Sequence, residues 1–316
     1  MAMVTPVEPE PLEVAGLVAI HSGGAESNVA MYLAGLGHNV SWVSRLGEDP
    51  LGKRVLRDVT TAGVGTSLVQ LDASAPTGVY FKDPGPSGTR VFYYRRGSAA
   101  SLMGPEILGP VLASPPRLLH VSGITPALSR SCDEMIEEVF TKFRSTATLV
   151  SFDVNFRPGL WSPQQAAPRL RALAQQAGVV FAGLDEGRTL WGTETPREMR
   201  ELLPGPSLLV VKDGATGATS FGETGEVFVP SLPVEVSEAV GAGDAFAAGW
   251  LSGLLRKLPA VQRLRLGHLL AGAALRSTAD HQAPPTTDLV SSALAVGEEE
   301  WAAGPPAWVT TELGGR

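Results

Sequence analysis

Cysteine is almost absent: the 316 residues hold only Cys132. That excludes an intramolecular disulfide and any multi-cysteine zinc site. No run approaches the roughly 18 apolar residues that a membrane-crossing helix needs. The five histidines (His21, His38, His120, His268 and His281) lack metal-ligand spacing and read as structural or surface residues. Positive charge is also in short supply, with 25 Lys and Arg against 32 Asp and Glu, a net charge of −7 and a pI near 5.3. A general nucleic-acid binder needs a basic face to displace counterions from phosphates, so the composition argues against that partner. An anion can still be held, but only where arginines or backbone N–H groups converge. The first residues carry Glu8, Glu10 and Glu13 and no basic stretch, which argues against a secretory signal. A cytoplasmic protein with no membrane partner is expected. Neither G-x-x-x-x-G-K-[ST] nor a G-x-G-x-x-G opening a helix after a strand occurs, which counts against P-loop and dinucleotide-binding folds.

What is present is an ordinary globular composition, 44% hydrophobic and 18% charged, long enough for one large α/β domain with a small accessory element. Helix-like and strand-like segments alternate, the pattern of a parallel sheet with helices on both faces. Glu26 to Leu36 reads as a helix, Val40 to Ser44 as a strand and Pro50 to Thr61 as a helix. Leu118 to Ser122, Ala147 to Asp153, Val179 to Ala182 and Leu208 to Lys212 are short apolar runs suited to strands buried on both faces. Helical patterns lie between them at roughly 126–144 and 163–176. Two stretches break the rhythm. Thr77 to Lys82 and Thr89 to Arg95 flank the turn Asp83-Pro-Gly-Pro-Ser-Gly88, an antiparallel hairpin with which Leu12 to Ile20 could pair. Such a hairpin is either a lid over a ligand or a plain edge ornament. From Glu298 onward no period is visible, and a loose tail is expected.

The segment Ala239-Val-Gly-Ala-Gly-Asp-Ala-Phe-Ala-Ala-Gly-Trp250 runs a Gly-rich turn straight into an apolar helix. Gly241 and Gly243 allow backbone conformations that other residues resist. The free N–H groups of the helix start then face whatever occupies the turn, and the dipole favours negative charge there. A carboxylate at that point, Asp244, is placed to take a proton from an attacking hydroxyl. The same residues would also serve as a tight turn with Asp244 in the first turn of the helix.

This segment resembles the C-terminal signature of the ribokinase-like (PfkB) carbohydrate kinases, G-A-G-D-x-F followed by a small-residue helix. Gly23-Gly-Ala-Glu-Ser-Asn-Val-Ala30, Leu33-Ala-Gly-Leu-Gly37 and Arg45-Leu-Gly-Glu-Asp-Pro-Leu-Gly52 look like the family's N-terminal signature. The resemblance implies a doubly wound α/β sheet flanked by helices with a small β-strand lid. It makes Asp244 the catalytic base and Gly241, Ala242 and Gly243 the anion hole. It gives Gly24 and Asn28 to the sugar. The kinase body then spans 21–75 and 97–300, the lid 10–20 and 76–96, and the loose tail 301–316.

Within Val91-Phe-Tyr-Tyr-Arg-Arg-Gly-Ser-Ala-Ala100, side chains alternate, so Tyr93 and Arg95 share one face of the strand. A Tyr/Arg pair facing a cleft offers an apolar platform and a fork that matches a carboxylate, although such pairs are also common on solvated faces. Tyr80 on the neighbouring strand could join them. Asp153-Val-Asn-Phe-Arg-Pro-Gly-Leu-Trp161 places Asn155 and Arg157 at the C-terminal end of a strand, where open α/β sheets bind ligands. Both segments resemble the 2-keto-3-deoxygluconate kinases of the family. That implies ATP-dependent phosphorylation of this sugar acid to its 6-phosphate, with fructokinase or another neutral-sugar kinase as the alternative.

Val210-Val-Lys-Asp-Gly-Ala-Thr-Gly217 is similar to the family's segment beside ATP, giving Lys212, Gly214 and Gly217, with Asn155, to the nucleotide. Gly183-Leu-Asp-Glu-Gly-Arg188 occupies the place of the family's Asn-x-x-Glu motif, with Gly183 where the asparagine stands. Glu186 is then expected to organise Mg²⁺ through bound water. Two features depart from the family. Glu238-Ala-Val240 replaces Asp-Thr-Thr, and Met1-Ala-Met-Val-Thr-Pro6 looks like the sequence just after the family's first central strand. That strand is therefore expected to be missing, which raises a second alternative, a sugar-binding homologue with weak activity. A homo-oligomer is expected, because lid strands leave edges that self-association can cover.

Overall fold

The computed structural model describes residues 1–303 apart from 86, 87, 224, 237, 239 and 278. β1 (Ala2–Pro6) and β2 (Val18–Ser22) open the chain, followed by α1 (Ala25–Gly35), β3 (Ser44–Gly47), α2 (Pro50–Thr61) and β4 (Val69–Asp72). A hairpin, β5 (Val79–Asp83) and β6 (Arg90–Tyr94), precedes the short α3 (Gly109–Ala113). Strand and helix then alternate through β7 (Leu118–Ser122), α4 (Arg130–Phe143), β8 (Leu149–Asp153), α5 (Pro163–Ala174), β9 (Val179–Gly183), α6 (Leu184–Trp191), α7 (Pro196–Leu202) and β10 (Leu208–Asp213). β11 (Gly217–Gly222) and β12 (Gly225–Pro230) lead to the helices α8 (Ala242–Leu255), α9 (Ala260–Leu275), α10 (Thr287–Ala295) and α11 (Glu298–Ala302).

The main sheet has the order β12-β11-β10-β9-β8-β7, parallel from β7 to β10 and antiparallel beyond. Its central strands are apolar throughout because both faces are covered. Alternation divides the core in two. Val180, Ala182, Leu209 and Val211 face the layer of α4 and α5, while Val179, Phe181 and Val210 face α1, α8 and α9. α8 has no polar side, as a helix buried all round requires. The smaller sheet, β2-β1-β5-β6, stands off this body. β1 lies between β2 and the hairpin, antiparallel to β2 and parallel to β5.

Three sequence expectations are corrected here. The strand expected at Leu12 to Ile20 is β2, and it pairs with β1 rather than with the hairpin. Between Val40 and Ser44 only a single bridge, Ser41 to Gly65, precedes β3, which carries the ladder to β4 at Ser44–Gly47. The stretch from Glu298 is helical, and Trp301 is 2% exposed, with its indole N–H donating to Pro230 O at 3.1 Å. A five-residue helix is too short to show a period. The expected loose tail otherwise falls on 304–316, outside the described residues, as does part of the Asp83–Gly88 turn. Among the described residues no strand pairs with the outer edge of β7, and the space between it and Ser41–Ser44 opens into the cavity described below.

α8 and α9 touch backbone to backbone at Gly249, where an added methyl would lie 2.4 Å from Leu266 O. Alanine gains about 1 kcal/mol of helix propensity over glycine, whereas overpacking costs about 1–3 kcal/mol. A backbone oxygen cannot rotate away, so the second effect wins. Gly249→Ala is expected to lose about 1–2 kcal/mol, read as a lower denaturant midpoint at unchanged m-value.

Candidate active site

The site begins at the start of α8. Gly241 has φ 89°, and a Cβ there would meet Asp280 O at 2.6 Å, so both conformation and space demand glycine. With Ala242 and Gly243 it forms a turn whose N–H groups have no helical partner of their own. Lys212 Nζ lies 3.5 Å from the place of a Cβ on Gly243, so the ammonium hangs over the turn. Asp244 is buried in the first turn of α8. Its Oδ2 accepts from Asn28 Nδ2 at 2.8 Å, and Asn155 Nδ2 is 3.5 Å from Oδ1. Burial pushes the carboxyl up to about 7. The Asn28 bond opposes that shift, and the charge of Asp153 adds to it.

Asn28 projects from α1, whose start is the loop residue Gly24 at φ 143°. Asn155 has φ 40°, one of the two positive values among the described non-glycine residues, in the loop after β8. The side-chain oxygens of Asn28 and Asn155 are buried without a hydrogen-bond partner, which leaves two acceptors for ligand hydroxyls. Asp153, at the end of β8, holds Lys212 at 3.1 Å. Burial alone would lower Lys212, but the carboxylates of Asp153 and Glu186 outweigh it and hold the ammonium above its ordinary value. Glu186 accepts N–H groups from Phe156 and Gly183, both at 2.7 Å, and so braces the loops after β8 and β9. Burial, then Asp153, raises it to about 7.

The lid supplies the other end. Tyr80 is buried and its hydroxyl donates to Asp280 Oδ2. Its ring lies 5.5 Å from that of Tyr93, and the Arg95 guanidinium stacks 4.3 Å over Tyr93. Phe92 and Tyr94 point away. Arg95 Nε is buried without a partner, and burial lowers its pKa, with Arg157 close enough to add to that shift. Arg157 donates to Phe156 O at 2.9 Å and stands 4.0 Å from Glu186. Glu26, also on this side, accepts from Ser122 and Thr125.

All these groups, with Gly214 and Gly217 from the turn between β10 and β11, line one cavity of about 1840 Å³. Ligand pockets commonly run about 300–1,000 Å³; the larger volume here includes the space between β7 and Ser41–Ser44. Every candidate residue taken from the sequence is on its wall. Sequence reasoning missed Glu26, Lys82, Asp153 and Asp280. Asp153 carried a signal, a carboxylate at the C-terminal end of a buried strand; Asp280 carried none.

Residues 3–287 match the description pfkB family carbohydrate kinase. The chain belongs to that family. Among its relatives is the 2-dehydro-3-deoxygluconokinase of Bacillus subtilis, 35% identical over 285 residues and covering 86% of each chain. A solved PfkB protein from Polaromonas is 37% identical, covers 87% of this chain and 92% of its own, and superposes with a TM-score of 0.80. The 2-dehydro-3-deoxygluconokinase of Thermotoga maritima, 21% identical, covers 94% and 96% with a TM-score of 0.85, which shows the ribokinase-like fold. The chain is thus a carbohydrate kinase with a doubly wound body and a β lid.

The expected role of Asp244 as base implies a pH dependence for this kinase. Proton acceptance needs the carboxylate, and its pKa in the free protein is raised to about 7. The protonated form dominates below that value, so kcat/KM should fall tenfold per pH unit on the acid side and level off above about 7. A profile flat from pH 5 to pH 8 would contradict this assignment.

Proposed function

We propose that this kinase transfers the γ-phosphoryl group of ATP to the 6-hydroxyl of 2-keto-3-deoxygluconate, with Asp244 as base. The observation that carries the sugar-acid reading is the unpartnered, buried Arg95 Nε beside Arg157 in the cavity wall. Among the described residues Arg95 has no ion-pair partner and Arg157 has only Glu186 at 4.0 Å, so the two guanidiniums suit a substrate that brings a carboxylate. The relatives named for the same sugar acid support the reading.

In this scheme the carboxylate lies at Arg95 and Arg157 and the sugar chain rests on Tyr93. The free oxygens of Asn28 and Asn155 accept substrate hydroxyls. The terminal hydroxyl gives its proton to Asp244 as its oxygen bonds to the γ-phosphorus, and the bond to the bridging oxygen of ADP breaks. Charge growing on the transferred group meets the N–H groups of 241–244 and the Lys212 ammonium. Gly214 and Gly217 let the β10–β11 turn approach the nucleotide. Among the described residues no three His, Cys, Asp or Glu are grouped to hold a metal. That suits Mg²⁺, which keeps several waters and takes phosphate oxygens; Glu186 and Asp153 are the groups that would accept its waters. When bound, the ion neutralises phosphate charge.

We also place the protein in the cytoplasm, with its nucleotide, as a homo-oligomer. Phe92, 44% exposed, and Tyr94, 67% exposed, on the lid support self-association.

Asp244→Asn keeps shape and removes the base, and should lower kcat by about a hundredfold to ten-thousandfold with the fold retained by circular dichroism. Full activity in that variant would remove Asp244 from its role. Arg95→Ala should raise KM for the sugar acid by about tenfold to a hundredfold, the loss of a charged hydrogen bond. Its KM for a neutral sugar such as fructose should barely move. Equal shifts for both would overturn the carboxylate assignment.

A further inference from the structure

Lys82 shares the inward face of β5 with Tyr80 and is 1% exposed, yet the transfer scheme gives it nothing to do. Its Nζ lies 2.7 Å from Asp280 Oδ1 and 4.0 Å from Glu238 Oε2. Tyr80 donates to the other oxygen of Asp280. The two carboxylates come from different loops. Asp280 follows α9, and its backbone is the surface against which Gly241 packs. Glu238 leads into the same turn: it accepts from Val240 N–H at 3.3 Å, and its own N–H donates to Leu275 O at 3.1 Å. One ammonium on the lid therefore grips both segments that wall the Gly241–Asp244 turn.

A buried ionic cluster is a weak source of net stability, because desolvation offsets most of its attraction. Apolar residues of similar volume would hold the lid as well. What a cluster adds is geometry: lifting β5 by a few ångströms would pull the Lys82 ammonium and the Tyr80 hydroxyl away from the buried Asp280 carboxylate. We propose that Lys82, Glu238 and Asp280 are positioning residues that lock the 241–244 turn to the lid, so that its N–H groups reach working geometry only with β5 seated. This rests on the reading of that turn as the anion hole. The three act through the backbone of the turn, not on the reacting atoms.

The test uses full-length Lys82→Met, which removes the charge at similar length, and Glu238→Gln, which keeps the shape. Thermal unfolding establishes folding, and steady-state kinetics with ATP and 2-keto-3-deoxygluconate give the readout. In either folded variant kcat should fall by about tenfold to a hundredfold, the scale of a misplaced catalytic geometry. KM for both substrates should stay within about twofold, because the lost interaction matters in the transition state and not in ground-state binding. If Lys82→Met does not fold, Glu238→Gln decides on the same numbers. Unchanged kcat, or a KM rise that accounts for the whole loss in kcat/KM, overturns the proposal. Asp244→Asn separates the two claims. If it is active, Asp244 is not the base, and the placing of the transfer at this turn, on which the positioning proposal rests, fails. If it is inactive while the folded Lys82→Met or Glu238→Gln keeps full kcat, only the positioning proposal falls.

Discussion

The interior carboxylate of Asp244, held through one short hydrogen bond from Asn28, is the contact around which the cavity is arranged. The bond joins residues 216 apart in sequence. It works only if α1 and α8 lie side by side on the same face of the sheet. α8 can lie there because small residues and glycines line it, allowing α9 to approach at Gly249. Packing far from the cleft thus sets where Asp244 stands. The cost is a buried acid, and that cost appears directly as a pKa pushed up to about 7.

Around this centre the charges are sorted. Arg95 and Arg157 stand at the lid end, Lys212 over the turn, and the carboxylates of Asp153, Glu186 and Asp244 between them. A chain of net charge −7 can therefore serve two anionic ligands, because the field at a site depends on the nearest groups and is screened beyond about 10 Å. Two of these cations are also differently prepared. Lys212 is kept charged by Asp153, whereas Arg95 is desolvated and partnerless at Nε.

Much of this was legible in the sequence because the signals were local. The Gly241–Asp244 turn, the strand alternation that puts Tyr93 and Arg95 on one face, and the run at 179–183 buried on both faces each lie within a few residues. What could not be read was pairing across the chain. Lys212 reads as a nucleotide contact from its own segment, but its grip on Asp153 is set by two parallel strands 59 residues apart. Asp280 lies in no motif, and its role follows only from α9 delivering it beneath Gly241. The order of the lid sheet was missed for a similar reason: β1 enters between β2 and β5, and no local pattern announces which edge an incoming strand will take.

The same long-range pairings give the buried carboxylates different partners. Asp153, Asp244 and Asp280 all line the cavity, and by position alone any of them could face a substrate hydroxyl. Asp153 is neutralised by Lys212 at 3.1 Å and Asp280 by Lys82 at 2.7 Å. Asp244 meets amide donors instead, from Asn28 and Asn155. The Asn28 bond favours the anion, but burial outweighs it and raises the proton affinity. Lys212 and Lys82 thus each hold one carboxylate in an ion pair, while Asp244, at the mouth of the turn, is the proposed base.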